Sequence, residues 1–237
     1  MFLRYRSQGI IIKKEDRGES DQFFTVYTKD FGKIKVLGKS IRKISSKLRA
    51  GVGLFYFSEI EFIQGRNYKT LVDSVVVDKF KNIRGDLEKT IIAHKIVEVF
   101  DKLIQGQEKD ISLFDLLLQA LIDLDSNKNQ KIVYYYFLWS FLSLLGYSPN
   151  LYNCSICQNK LEYKKNYFNL EGGGIICFDC FLKERKGTEI SPSLIKVLRI
   201  ILKNREMLFN LKIQQKEIDL LRNISQKYLL SFIKTYE

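Results

Sequence analysis

At 237 residues the chain has room for one large or two modest domains, and its 46% hydrophobic and 13% aromatic content excludes wholesale disorder. A formal net charge of +12 makes a polyanion the most useful kind of partner. The longest apolar run, residues 132–145, is too short to span a bilayer, and MFLRYRSQG lacks the apolar core of a signal peptide, so a cytoplasmic protein with no membrane partner is expected.

Residues 1–80 read as short strands. Ile10-Ile11-Ile12 is the first, and the polar residues 15–21 read as a turn. Gln22–Thr28 returns as a second strand. In the third, Ile34 and Val36 take one face while Lys33 and Lys35 take the other. A fourth strand is expected over about 53–63 and a fifth over 68–77. Five short antiparallel strands with a basic connector after the third predict a small closed barrel, for which an OB-fold has the right strand number.

The positive charge is local. Lys29, Lys33, Lys35, Lys39, Arg42, Lys43, Lys47 and Arg49 face a single acid, Asp30, between residues 29 and 49, and Arg66 adds a cation in the next turn. Phosphate neutralisation is the function that uses such clustering, and a solvated lysine-rich face is the plain alternative. Phe24, Val26, Tyr56, Ile60 and Phe62 are expected to fill the barrel. Phe23 and Tyr27 point the other way, either to stack on bases or to pack against helices.

From about Ile83 the period becomes helical. Leu87, Ile91, His94 and Val97 share helix spacing, and Phe114, Leu117, Leu118, Leu121 and Ile122 form a stripe opposite Asp115, Gln119 and Asp123, with Asp110 or Ser112 as cap. Residues 130–145 are apolar nearly all round, which predicts a central core helix ended by Gly146. Ser191-Pro192 opens a further helix, and the last is expected over 214–232.

All four cysteines fall in one pattern, Cys154-x2-Cys157 and Cys177-x2-Cys180. Two such pairs aim four thiolates at one ion and make a closed shell, the arrangement of one structural Zn²⁺. A redox dithiol or disulfide pair is the other reading of this spacing. Gly172-Gly173-Gly174 suits a place where backbone passes close to the site. Signatures of catalysis are missing: there is no G-x-x-x-x-G-K-[ST], G-x-S-x-G or H-E-x-x-H, and the lone His94 reads as an ordinary helix residue. No enzyme is expected.

The order of parts resembles the RecO recombination-mediator family of bacteria. The resemblance rests on Gly9-Ile10-Ile11, Gly18-Glu19-x-Asp21, Phe31-Gly32-Lys33, Lys39-Ser-Ile-Arg42-Lys43, Glu59-Ile-Glu61 with Gly65-Arg66, and Leu144-Leu145-Gly146-Tyr147-x-Pro149 leading into the cysteine pairs. Gln158 departs from the pattern, since a knuckle turn usually has Gly after its second cysteine. The resemblance implies an α+β chain with an N-terminal OB-fold at 1–80, a helical domain at 81–150 and 188–237, and a zinc module at 151–187 inserted in it. It further implies binding of single- and double-stranded DNA, strand annealing, contacts with RecR and the C-terminal tail of single-strand-binding protein, and indirect help in loading RecA. Lys33, Lys35, Lys39, Arg42 and Lys43 match the family's basic strand and loop, whereas Lys29, Lys47, Arg49 and Arg66 are chosen on charge. A protein-interaction scaffold for acidic tails and a zinc-dependent RNA- or transcription-linked factor are the competing readings.

Overall fold

Strand β1, Arg4–Arg17, is long enough to serve two neighbours. Its first half pairs with β4 (Phe57–Gln64) and its second half with β2 (Asp21–Thr28), and a register shift between Ile11 and Lys13 bends it from one to the other. Gly9 lies where both pairings overlap. A Cβ there would sit 2.6 Å from Val26 Cγ1, so only glycine fits. Strand β3 (Gly32–Gly38) pairs with β2, and β5 (Lys69–Asp78) pairs antiparallel with β4 and parallel with β3. The order β1-β2-β3-β5-β4 closes the sheet into the expected five-stranded barrel.

These details come from a computed structural model that describes residues 3–107, 109–126 and 128–236. Strand bounds differ from the sequence reading, most of all in β1, which begins at Arg4 and not at Ile10. Residues 15–17 continue β1 instead of opening a turn, and residues 53–56 precede β4. The barrel is filled as expected by Phe24, Val26, Tyr56, Ile60 and Phe62, together with Ile11, Ile34 and Val36.

By compactness the chain divides into Met1–Gln130 and Lys131–Glu237. In the first unit, α1 (Lys81–Gly85), α2 (Leu87–Leu103) and α3 (Ile111–Asp125) accompany the barrel. Tyr27 is fully buried, with its ring 4.6 Å from that of Phe100 on α2 and 6.5 Å from that of Phe114 on α3. Asp110 caps α3 by accepting from the amides of Ser112 and Leu113. Two faces differ from the expected stripes. On α2, Leu87 and Ile91 are exposed while Lys89 is buried, and on α3 Ile122 is exposed while Asp123 is buried.

The second unit is built on α4 (Gln130–Leu144), whose Val133, Phe137, Trp139 and Phe141 are fully buried. Trp139 stacks on Tyr228 of α8 (Gln215–Tyr236) at 5.1 Å, and its indole N–H donates to Ser225 Oγ at 2.9 Å. Strands β6 (Asn166–Asn169), β7 (Gly174–Cys177) and β8 (Thr188–Ile190) form a small sheet in the order β7-β6-β8. Between β7 and β8 lies α5 (Phe178–Glu184), and α6 (Pro192–Lys203) and α7 (Arg205–Phe209) precede α8. Ser191 caps α6 by accepting from Leu194 N–H.

Candidate nucleic-acid interface and metal centre

Alternation on β3 turns Lys33 and Lys35 outward, but the two ammonium groups meet different surroundings. Lys33 donates to the carbonyl and carboxylate oxygens of Asp101 on α2, at 2.9 and 3.1 Å, and its side chain is only 18% exposed. Lys35 is half exposed, 2.8 Å from Glu15 Oε2 and 4.7 Å from the centre of the Phe23 ring. Its hydrogen bond holds the Glu15 carboxyl below the usual range against a smaller opposing effect of burial.

The basic stretch is split between the two ends of the β2–β3 hairpin. Thr28 pairs with Gly32 at one end and Gln22 with Gly38 at the other, so Lys29 and Lys33 lie roughly 20 Å from Lys39 at about 3.3 Å per residue. Lys39, Arg42 and Lys43 are exposed in the loop after β3, and Lys47 and Arg49 are exposed on the short 3-10 turn Lys47–Gly51. Exposed Arg66 belongs to this second end, because Lys69, just beyond its turn, pairs with Val36 of β3.

The structure adds two groupings that charge counting missed. On the outer wall, the rings of Phe23 and Tyr68 meet edge to face at 5.2 Å, and the Arg17 guanidinium lies 5.1 and 4.6 Å from their centres. With Lys35 this makes an aromatic pair flanked by cations, a surface on which bases can stack. At the barrel mouth, Lys14, Arg42, Arg49 and Arg84 line a cleft of about 530 Å³ whose floor includes Phe24, Ile41, Val52 and Tyr56. Arg84 donates to the Tyr56 hydroxyl, and Arg42 lies 3.3 Å from Asp16. Lys14 escaped notice because it abuts the residues read as a turn, and Arg84 because it lies beyond the barrel in sequence. Alternation alone would not have found the first, because the register shift between Ile11 and Lys13 is what brings Lys14 opposite Phe24, on the face that Ile11 shares.

The four cysteines come together in the second unit, with all four Sγ atoms within 4.8 Å of one another. A tetrahedral shell at a Zn–S distance of ~2.3 Å separates its sulfurs by about 3.8 Å, and Cys157 and Cys177 Sγ lie 3.9 Å apart. Cys154 and Cys157 lie on a turn in which Gln158 N–H donates to Cys154 O at 2.9 Å, and Cys177 and Cys180 straddle the start of α5. Gln158 adopts φ +61°, the left-handed conformation that glycine takes without strain. The third glycine of the triplet is set by close approach, since a Cβ on Gly174 would lie 2.8 Å from both N and O of Asn150.

The thiols differ in charge preference. Burial pushes Cys154 up, but amide donors from Cys177, Cys157 and Ile156 outweigh it and hold the thiol at about 6. Burial and the adjacent thiols push Cys180 up to about 12. One sulfur is thus readied as a thiolate while a neighbour resists ionisation, a conflict that a shared cation removes. The set can hold a metal ion. His94, by contrast, lies exposed on α2 with its ring 5.0 Å from that of Phe55.

Comparison with known proteins gives matching relationships along most of the chain. Residues 1–80 match the family model "Recombination protein O N terminal" and residues 84–233 match "Recombination protein O C terminal". A protein named DNA repair protein RecO from Dehalococcoides mccartyi is 34% identical over 200 residues, covering 84% of this chain and 79% of the relative. Its namesake from Listeria welshimeri is 29% identical over 224 residues, covering 94% and 87% of the two chains. That from Acetivibrio thermocellus is 28% identical over 244 residues, covering 98% and 97%.

Proposed function

The chain belongs to the RecO family of DNA repair proteins, and on that premise we propose that it is a recombination mediator that binds single- and double-stranded DNA and performs no catalysis of its own. One observation carries the reading. Lys39, Arg42, Lys43, Lys47, Arg49 and Arg66 are all exposed, and all lie at the same end of the barrel or in the loop and turn that follow β3. Lys35 extends that surface along the wall. Lys29 and Lys33 would form a second, weaker contact, because Lys33 is already engaged by Asp101.

A cationic surface of this kind screens the repulsion between two bare strands while leaving their bases free to pair, which is the physical basis for annealing. If about six phosphates are neutralised on a single strand, the salt slope is roughly −4 and affinity falls by a few hundred-fold between 50 and 200 mM salt. Sequence preference should be weak, since phosphates carry no base information.

The domain assignment by role follows the same reading: 1–80 binds DNA, 81–150 with 188–237 supplies the helical body, and 151–187 is the metal module. A single structural Zn²⁺ is the ion proposed for that module, a reading supported by four thiolates that close the shell and leave no position for substrate. An acidic, apolar segment such as the C-terminal tail of single-strand-binding protein fits the groove lined by Val197, Ile200, Leu211 and Ile213, with Lys196 and Lys212 beside it. Glu217, in the same groove, is occupied by the hydroxyls of Ser191 and Ser193. RecR and, indirectly, RecA complete the set of partners, and the place of action is the bacterial cytoplasm at the nucleoid.

The test is titration of a labelled oligonucleotide with wild-type and Lys35→Glu/Arg42→Glu protein, followed by annealing of complementary strands with and without single-strand-binding protein. Loss of at least tenfold in affinity, with a shallower salt slope, is the expected result. Unchanged binding by the double variant would remove this face from the interface. Equal affinity for RNA without annealing would replace the reading by an RNA-linked one.

A further inference from the structure

The mouth of the barrel differs from the rest of the basic surface in being concave and closed below. Phe24, Ile41 and Val52 form its floor and are almost fully buried, so a ligand rests against the closed end of the barrel instead of on an open wall. Its cations arrive from four separate segments: Lys14 from β1, Arg42 from the loop after β3, Arg49 from the 3-10 turn and Arg84 from α1. Among the described residues, Asp16 is the one carboxylate paired with this group, through Arg42. Lys14 and Arg49 form no ion pair among the described residues.

Four positive charges against one negative leave a surplus of about three. An internal phosphodiester brings one negative charge, whereas a phosphomonoester brings up to about two and the diester next to it one more. The Arg84 side chain is fixed by its hydrogen bond to Tyr56 and by its position 5.3 Å from the centre of that ring, which leaves its planar fork set before any ligand arrives. A cleft of about 530 Å³ has room for a phosphate and the sugar that bears it.

We propose that this cleft is a receptor for the terminal phosphomonoester of a nucleic-acid strand, adding Lys14 and Arg84 to Arg42 and Arg49, which it shares with the exposed cations that meet internal phosphates. The proposal rests on the nucleic-acid reading above and narrows it to strand ends. A supporting observation is that Lys14 is held below its usual pKa, first by partial burial and then by the charges of Arg84 and Arg49, with only Asp16 opposing. An incoming phosphate relieves that repulsion.

The experiment measures binding of three otherwise identical single-stranded oligonucleotides to the full chain at fixed salt: one with a 5′-phosphate, one with a 3′-phosphate and one with hydroxyls at both ends. One of the two phosphorylated strands should bind about tenfold tighter than the hydroxyl-ended strand. The two arms identify which end is the source of the monoester. Lys14→Gln should abolish the preference. Arg49→Gln, whose exposed side chain has no ion pair to lose, should reduce it even if the Lys14 variant folds poorly. Equal affinity for all three strands overturns the proposal and leaves the nucleic-acid reading intact, while failure to bind any of them overturns both. Retention of the full preference in both variants also overturns the assignment.

Discussion

Phe23 and Tyr27 leave the same face of the same strand and end in different roles. Tyr27 is buried against Phe100 and Phe114, its hydroxyl donates to Asp110 O at 3.4 Å, and burial, with Asp110 adding, pushes the phenol up to about 12. Of the two uses that its outward orientation allowed, packing is the one the structure shows. Phe23 lies four residues back, beyond the helices' reach, and is met instead by Tyr68, Arg17 and Lys35. Tyr27→Ala should therefore destabilise the chain by about 3–5 kcal/mol, the usual cost of deleting a buried aromatic ring. Chemical denaturation reads that loss. Phe23→Ala should leave stability within about 1 kcal/mol and weaken single-strand binding by about 1–3 kcal/mol, the range for one stacked base. Duplex binding should change much less, because paired bases offer no free face. Equal loss on both substrates would mean that Phe23 only supports the neighbouring cations.

At the level of whole elements, α2 meets α3 through a lysine. The Lys89 ammonium donates to the carbonyls of Asp125 and Ser126 at 3.2 and 2.8 Å, where α3 ends and its last carbonyls lack helical partners. Lys89→Ala should lower stability by about 1.5–3 kcal/mol, the range for hydrogen bonds to a charged group. Lys89→Arg, which keeps the charge, should recover part of that loss, and thermal melts of the pair check both. This contact explains what could be read beforehand. Helix existence followed from periodicity, and the caps Asp110 and Ser191 followed from local chemistry, because both signals are contained in a few consecutive residues. The burial of Lys89, and with it the exposure of Leu87 and Ile91, depends on a partner thirty-six residues away and leaves no local trace. The site divides in the same way. The cysteine set was legible from spacing alone, whereas the barrel-mouth cations were not, because Lys14 and Arg84 join Arg42 and Arg49 only when the barrel closes.

Across the whole molecule, the proposed cations and the cysteines lie in different compact units. Every residue assigned to nucleic acid falls within Met1–Gln130, and all four cysteines fall within Lys131–Glu237. In the second unit, Cys154 and Cys180 pack with Tyr167 and Ile176, and the Tyr167 ring stacks on Phe181 of α5 at 3.6 Å. Loss of the proposed ion would leave four sulfurs crowded together in this cluster, with Cys154 favouring the thiolate while burial pushes Cys177 and Cys180 away from it. Small zinc modules gain an apparent 10–16 kcal/mol from their ion, and a unit that also has a core around Trp139 should share only part of that dependence. Chelation, or Cys157→Ser, should therefore lower the melting temperature of the chain by several degrees at least. Affinity for a single-stranded oligonucleotide, measured well below the new transition, should fall less than threefold, because the barrel that carries the charge keeps its own core. A chelator that abolished DNA binding while the melting temperature stayed put would place the metal in the interface and not in the scaffold. Release of one equivalent of zinc on denaturation, measured with a colorimetric chelator, would identify the ion in the same experiment.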